Sequence, residues 1–241
     1  MNSRFRLASV VAILLLATAS ASHALNADSV ATQGPLPGRG GIGGQVGSSY
    51  ILSEGDYSAG AQPRLSFVGQ FRYVIGKHWG WQVSPSFTWN GYVSRELAPF
   101  TDINFPTRGD SKQFYLTQIV GAAGQLQYFG GHGRQRWHIG AGPALYRVVI
   151  QNRRKVIEDP VSHELHSTSH LGASAEFGLE RFLKKLPNTS LELTLAGQTA
   201  FAKDDIKWVS GWNGAPVLAE IRLGGNYYYN FRRGKTAKGA K

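Results

Sequence analysis

The sequence predicts an all-β chain that closes into an eight-stranded antiparallel up-and-down transmembrane β-barrel. Three observations indicate this fold class. Apolar residues recur at every second position in eight segments, which is the period of strands with one apolar face. Long and short connections alternate between these segments, as they do in outer-membrane barrels. A secretory signal precedes all of them.

Residues 1–24 are predicted to be a signal peptide. Arg4 and Arg6 precede the apolar run LASVVAILLLATA, and small residues lead up to Ala24. The run is too short for a comfortable membrane helix, so we expect cleavage after Ala24 rather than an uncleaved anchor. Cleavage would lower the formal net charge from +11 to +9, because it removes two arginines. Residues 25–39 are predicted to form a flexible leader.

The composition narrows the possible classes of protein. The 241 residues include no cysteine, so an exported chain must be stabilised by strand pairing and packing rather than by disulfides. The positive net charge raises the question of nucleic acid, but the export signal and the lack of a basic helix or an RNA-binding fingerprint argue against it. After the signal, no segment approaches the roughly 20 apolar residues of a membrane helix. A membrane-inserted form would therefore be a β-barrel.

The first four predicted strands each have one apolar face. The first, at residues 40–52, is rich in glycine, whereas the second and third, PRLSFVGQFRYVIG and WGWQVSPSFTWNGYV, are rich in aromatic residues. The fourth extends from Phe114 to Tyr128. The apolar faces of the second and third strands comprise Leu65, Phe67, Gly69, Phe71, Tyr73 and Ile75, and then Trp79, Trp81, Val83, Pro85, Phe87 and Trp89.

The last four predicted strands repeat this pattern. Pro85 and Pro143 are expected to mark bulges or irregular pairing, because proline cannot donate a ladder hydrogen bond. The apolar positions of these strands extend from Trp137 to Leu145, from Leu171 to Leu179, from Leu191 to Phe201 and from Ile221 to Phe231.

The connections between the strands indicate how the barrel is oriented. Three of them, GKH, GGHGRQ and LKKLPN, are short and mostly basic. Outer-membrane barrels have short periplasmic turns and longer external loops. Both termini are therefore predicted to lie in the periplasm. The four predicted external loops are residues 53–62, 94–112, 151–165 and 202–215.

Charged side chains occur on the second, mostly polar face of several strands. Arg72 and Arg222 supply positive charge there, and Glu176, Glu192 and Glu220 supply negative charge. An unpaired charge in a narrow lumen is costly, so we expect these residues to form a lumenal charge network. The sequence does not determine which of these residues pair with one another. A soluble lipocalin-like barrel is the structural alternative, with an apolar lumen and a polar outer surface.

The strand number, the alternating connections and a final aromatic residue together resemble the small outer-membrane barrel families, which include the OmpA transmembrane domain and OmpX. The resemblance covers residues 40–231, the predicted barrel domain. It implies that the last strand, with Tyr227, Tyr229 and Phe231, is the signal read by the barrel-assembly machinery. The basic residues 232–241 extend beyond the position at which family members often end, and we expect a disordered periplasmic tail.

The densest cluster of potential ligands and catalytic groups is VSHELHSTSH, residues 161–170. His166 and His170 lie too far apart on a strand to share a metal ion, and their spacing differs from H-E-x-x-H. Adjacent serine and histidine residues point to opposite faces of a strand, which disfavours a nucleophile and its base. The sequence therefore predicts no catalytic residue, no cofactor and no metal site.

The predicted function is that of a non-catalytic outer-membrane barrel of a Gram-negative bacterium, with a structural or surface-interaction role through its external loops. The expected partners are outer-membrane lipid and lipopolysaccharide, the barrel-assembly machinery during biogenesis, and no nucleic acid; the protein is expected to be monomeric. Two alternatives stay open: a lipid A acyl hydrolase or transferase, and a small channel or hydrophobic-ligand conduit. A continuous pore is disfavoured, because side chains can fill the lumen of eight strands.

Overall fold

The structure, a computed structural model, describes residues 37–52, 61–93, 114–152, 155–158, 163–201 and 217–230. The predicted signal peptide, most of the leader, Phe231, the basic tail and most of the predicted external loops lie outside these ranges. The strands are β1 (Arg39–Ile51), β2 (Ala61–Val74), β3 (Trp79–Val93), β4 (Phe114–His132), β5 (Gln135–Asn152), β6 (Lys155–Val156), β7 (Ser167–Phe182), β8 (Thr189–Ala200) and β9 (Val217–Asn230).

Eight long strands pair in antiparallel fashion and close into a barrel. Each pairs with the next along the chain, except that β5 pairs with β7 because β6 is a two-residue strand on the end of β5. β1 and β9 complete the closure, with pairs from Arg39↔Asn230 to Ile51↔Leu218. The predicted eight-stranded antiparallel barrel is confirmed. Within the described ranges, no helix is long and apolar enough to cross a membrane.

The two faces of the barrel have opposite polarity. The outer face is apolar: Leu223 is 60% exposed and Leu171 is 70% exposed. The inner face is largely polar: Gln70 and Gln82 are both 0% exposed. A soluble barrel has the reverse distribution, so this one spans a membrane, and the lipocalin-like alternative is wrong.

Pro85 and Pro143 interrupt the strand ladders without changing the register. Pairing between β2 and β3 stops at Val68↔Ser86 and resumes in the same register at Phe71↔Val83, on either side of Pro85. Pairing between β4 and β5 is likewise interrupted opposite Pro143. The expected irregular pairing is present at both prolines, but the register shift of β2 occurs elsewhere, between Pro63 and Ser66.

The barrel has a short-turn end and a long-loop end. The short-turn end holds the β2–β3, β4–β5 and β7–β8 connections together with the start of β1 and the end of β9. The β4–β5 turn is the tightest, and Gly131 and Gly133 have φ angles of 114° and 61° there, a conformation that favours glycine. In outer-membrane barrels the short turns face the periplasm.

One segment of the third long connection returns to the barrel. After β6, the backbone N–H of Ile157 donates to the carbonyl of Ile150 (3.0 Å), and the N–H of His166 donates to the carbonyl of Ile157 (2.8 Å). These bonds place Ile157 at the long-loop end, where its side chain is 0% exposed. The connection therefore contributes to the filling of the barrel interior.

Candidate functional site in the barrel interior

The first part of the interior network is centred on Arg72 of β2. Its Nη1 lies 3.1 Å from Oε2 of Glu192, which comes from β8. The same guanidinium donates through Nε to Gln82 (2.9 Å) and through Nη1 to the hydroxyl of Tyr228 (3.0 Å). Both side chains of the ion pair are buried, with 1% exposure for Arg72 and 0% for Glu192. Arg72 thus joins strands that are not neighbours in the sheet.

Glu180 of β7 extends this part of the network towards the short-turn end. Its Oε1 accepts hydrogen bonds from the hydroxyls of Ser190 (2.6 Å) and Tyr228 (2.7 Å). Its Oε2 lies 3.6 Å from Nη1 of Arg72. Two carboxylates therefore share one guanidinium, and side-chain hydroxyls and amides donate further hydrogen bonds to them.

The second part of the network is centred on Arg222 of β9. Its Nε lies 2.6 Å from Oε2 of Glu220 on the same strand, two residues away and on the same face. Glu220 also accepts hydrogen bonds from Ser66 of β2 (3.2 Å) and Thr88 of β3 (2.9 Å), strands that do not pair with β9. Nη1 of Arg222 lies 3.8 Å from Oε2 of Glu176.

Glu176 and His138 connect the two parts. Glu176 accepts hydrogen bonds from the side-chain amides of Gln82 and Gln127, each at 2.8 Å. Nε2 of His138 lies 3.5 Å from a carboxylate oxygen of Glu176 and 3.5 Å from one of Glu192. The structure thus brings all five charged residues named from the sequence into one connected cluster.

Sequence reasoning did not select Glu180 and His138 as members of the network. Each occupies the same face of its strand as the polar residues: Glu180 follows Glu176 by four positions, and His138 lies between the outward-facing Trp137 and Ile139. The period-two pattern was therefore sufficient to find them. Their contacts depend on side chains from strands far away in the sequence.

Apolar side chains fill the interior at the long-loop end. Val148, Ile150 and Ile157 are 0% exposed there. A cavity beside Tyr146 and Leu218 does not admit a water-sized sphere. The layer consists of Ile119, Ala123, Ala144, Tyr146, Val148, Ile150, Ile157, Ala200 and Leu218.

A second apolar layer fills the interior at the short-turn end. Val74, Phe182 and Tyr228 form a buried cluster. Phe129 is 2% exposed, and the guanidinium of Arg136 lies 3.6 Å from the centre of its ring. The charged network is therefore enclosed between two apolar layers.

The described histidines at the start of β7 lie in different environments. His163 is exposed, and its Nδ1 lies 3.0 Å from Oε1 of Glu158. His166 is buried, whereas Nε2 of His170 lies 2.7 Å from the hydroxyl of Thr168. In the described part of the chain, no group of three or more histidine, cysteine, aspartate or glutamate residues could hold a metal ion.

Aromatic side chains surround the outer surface near the short-turn end. Tyr227 and Tyr229 of β9 are 51% and 38% exposed, and Phe231, the third residue of the predicted assembly signal, lies outside the described residues. The rings of Trp79, Tyr128 and Trp137 form a continuous row, with centroid distances of 5.1 and 5.8 Å. Such belts are typical of the membrane–water interface.

Several solved structures are similar to this one at low sequence identity. The outer membrane protein OprG from Pseudomonas aeruginosa matches with a TM-score of 0.50 and 12% identity, covering 82% of this chain and 98% of OprG. Ail, the attachment invasion locus protein of Yersinia pestis, in complex with the heparin analogue sucrose octasulfate, has a TM-score of 0.48 and 12% identity, with coverage of 80% and 100%. Neisserial surface protein A has a TM-score of 0.47 and 12% identity, with coverage of 79% and 96%.

No protein-family model and no curated protein matches the sequence. The structural similarity to OprG therefore shows the fold, that of a small outer-membrane β-barrel. This fold is consistent with the predicted location in the outer membrane of a Gram-negative bacterium.

Proposed function

We propose that the protein is a closed outer-membrane barrel that supports its external loops, with a structural or surface-interaction role and without catalysis or transport. The observation that carries this proposal is the filled interior. An apolar layer, a hydrogen-bonded charge network and a second apolar layer follow one another along the barrel axis. Small barrels of eight strands have interiors that side chains can fill in this way.

The filled interior argues against the channel alternative. Ion conduction needs a continuous polar path, but the side chains of Val148 and Ile150 occupy the long-loop end and that of Phe182 occupies the short-turn end. The charges between these layers are bound to one another rather than to an open path: Arg72 pairs with Glu192, and Arg222 pairs with Glu220.

Planar-bilayer conductance tests this part of the proposal. The full mature chain, refolded in lipid, should add no steady single-channel current at 1 M salt, whereas a general porin in the same bilayer serves as the positive control. A reproducible conductance step from the refolded protein would overturn the closed barrel. Folding of the same sample is checked by its faster migration in SDS gels before boiling than after boiling.

Lipid A mass spectrometry tests the absence of catalysis. The hydroxyl of Thr168 lies 2.7 Å from Nε2 of His170. Nucleophilic catalysis uses a hydroxyl placed beside an imidazole in this way. We expect identical lipid A acyl chains in cells with and without the protein. A change in acylation that disappears in the His170→Ala variant would establish the lipid A enzyme instead.

The surface role is assigned to the long connections, because they supply most of the chain outside the barrel wall. A barrel in which residues 94–113 are replaced by a short turn should still fold and insert, since strand residues of the barrel wall supply the charge network described above. It should lose any surface phenotype of the intact protein.

We further propose that the protein is surrounded by outer-membrane lipid and lipopolysaccharide and that the barrel-assembly machinery is its partner during biogenesis. We also propose that the protein is monomeric, which sedimentation in detergent tests.

A further inference from the structure

The short-turn end carries basic side chains at several points around the barrel. Lys184 and Lys185 are exposed in the β7–β8 turn, and Lys77 is exposed in the β2–β3 turn. Arg181 is exposed on the outer face of β7, and Arg39 is half-buried at the start of β1. We call the set Arg39, Lys77, Arg181, Lys184 and Lys185 the basic rim.

Acidic side chains of the described residues lie elsewhere. Glu176, Glu180, Glu192 and Glu220 are buried in the barrel interior. The other two, Glu158 and Glu164, belong to the long connection between β5 and β7, at the opposite end. Within the described ranges, the positive charge of the basic rim is therefore not balanced at the surface of the short-turn end.

The aromatic row places the basic rim at a defined depth. Trp79 directly follows the turn that contains Lys77, and its ring packs against Tyr128 at 5.1 Å. The imidazole of His78 stacks on the same Tyr128 ring at 5.7 Å. Tryptophan and tyrosine take up the headgroup level of a bilayer, so the neighbouring basic side chains reach the phosphate groups of the lipids.

We propose that the basic rim is a binding surface for anionic phospholipid headgroups of the membrane leaflet at the short-turn end. The exposed ammonium groups of Lys77, Lys184 and Lys185 attract the negative surface of such a leaflet. Arg181 faces lipid directly from the outer wall, where a guanidinium can bind a phosphate with two parallel hydrogen bonds. This inference is independent of the closed interior and of the role of the external loops.

The arrangement of the charges favours lipid over a macromolecular partner such as an acidic cell-wall polymer. The rim residues extend from β7 through β8, β9 and β1 to the β2–β3 turn, an arc of six of the eight long strands. Lipid headgroups surround the whole barrel at this depth, whereas one polymer strand would contact one side. The adjoining aromatic row fits a membrane interface for the same reason.

Lipid selectivity of the full mature chain tests the proposal. The barrel, in detergent, is titrated with phosphatidylglycerol or phosphatidylcholine, and bound lipids are counted by native mass spectrometry. The test variant is Lys77→Gln/Arg181→Gln/Lys184→Gln/Lys185→Gln. The matched control is Arg147→Gln/Lys155→Gln, which removes two exposed charges at the long-loop end. Both variants should keep the heat-dependent gel shift of the native barrel.

The native protein and the control should bind phosphatidylglycerol more tightly than phosphatidylcholine. In the test variant this preference should fall by at least about tenfold, because each basic residue near an anionic surface raises the binding affinity about fivefold. The preference should also weaken in high salt. An unchanged preference in the test variant, or an equal loss in the control, would overturn the proposal. So would a variant that keeps its lipid preference but loses co-sedimentation with isolated peptidoglycan, since this result assigns the rim to the cell wall.

Discussion

Nη1 of Arg72 lies 3.1 Å from Oε2 of Glu192, and the two residues belong to strands β2 and β8, which share no ladder hydrogen bond. The barrel wall connects only neighbouring strands, so this ion pair ties the wall together across the interior. The desolvation of Arg72 is offset by the hydrogen bonds that its guanidinium donates to Gln82 and Tyr228. The pair should therefore contribute to stability only while both partners are present.

Removing one partner of this pair should destabilise the barrel. We expect Arg72→Met to lower the free energy of unfolding by about 3 to 5 kcal/mol, because it leaves Glu192 buried without its counter-charge. Urea titration of the barrel refolded in lipid vesicles measures this value. Arg147→Met, at an exposed arginine, is the control and should change the free energy by less than about 0.5 kcal/mol.

The same titration on Arg72→Met/Glu192→Gln completes a double-mutant cycle. The double variant should be more stable than the sum of the two single effects predicts, by roughly 0.5 to 3 kcal/mol. Strict additivity would mean that the two side chains do not interact energetically.

Gly178 of β7 leaves room for the imidazole of His138. A Cβ at this position would collide with the ring of His138, whereas a Cβ at Gly197 on the neighbouring strand would meet no atom within 4 Å. Gly178→Ala should cost about 1 to 3 kcal/mol of unfolding free energy, because the network must shift to accommodate the methyl group. Gly197→Ala is the matched control. Equal stability of the two variants would contradict the packing of His138 described above.

On the outer face of β9, the cost of introducing a charge should depend on how deep the residue lies in the membrane. Leu223 is 60% exposed in the middle of the strand, and Tyr229 is 38% exposed near the short-turn end. Leu223→Arg should cost about 2 to 4 kcal/mol, while Tyr229→Arg should cost about 0 to 1 kcal/mol, since the cost falls towards the interface. Unfolding in vesicles measures both values. The reverse order would mean that Leu223 does not lie in the hydrocarbon region.

Assembly in cells should depend on the final aromatic residue rather than on the basic tail. We expect Phe231→Ala to reduce outer-membrane insertion more than deletion of residues 232–241 does. The heat-dependent gel shift of membrane fractions measures insertion. If the tail deletion abolished insertion and Phe231→Ala left it intact, the assembly signal would have to be assigned to the tail.

The strand pattern was predictable because each residue's face depends only on its parity. The alternation that placed Phe67 and Phe71 outside also placed Gln70 and Arg72 inside. In the structure the two phenylalanines are exposed on the outer face, and Gln70 and Arg72 are buried in the interior. Inward apolar residues such as Val148, Ile150 and Leu218 were not singled out, because the second face was expected to be mostly polar. The apolar layer at the long-loop end therefore emerged only from the structure.

The partners inside the network could not be read from the sequence. Two inward side chains meet only if the stagger of the strands brings them to the same height, and this stagger is a property of the whole closed sheet. Arg222 meets Glu220 two residues away, whereas Arg72 meets Glu192 from the other side of the barrel. Parity alone does not distinguish these two cases.

The pairing of β1 with β9 determines when the barrel can be completed. β1 is made first and pairs with β2, but its second neighbour, β9, is made last. Until β9 pairs with β1, the sheet has two free edges, each able to pair with another chain. Almost the entire polypeptide must cross the inner membrane before this final seam can form. Closing so distant a contact is slow, so both edges are open to aggregation until the last strand pairs with the first.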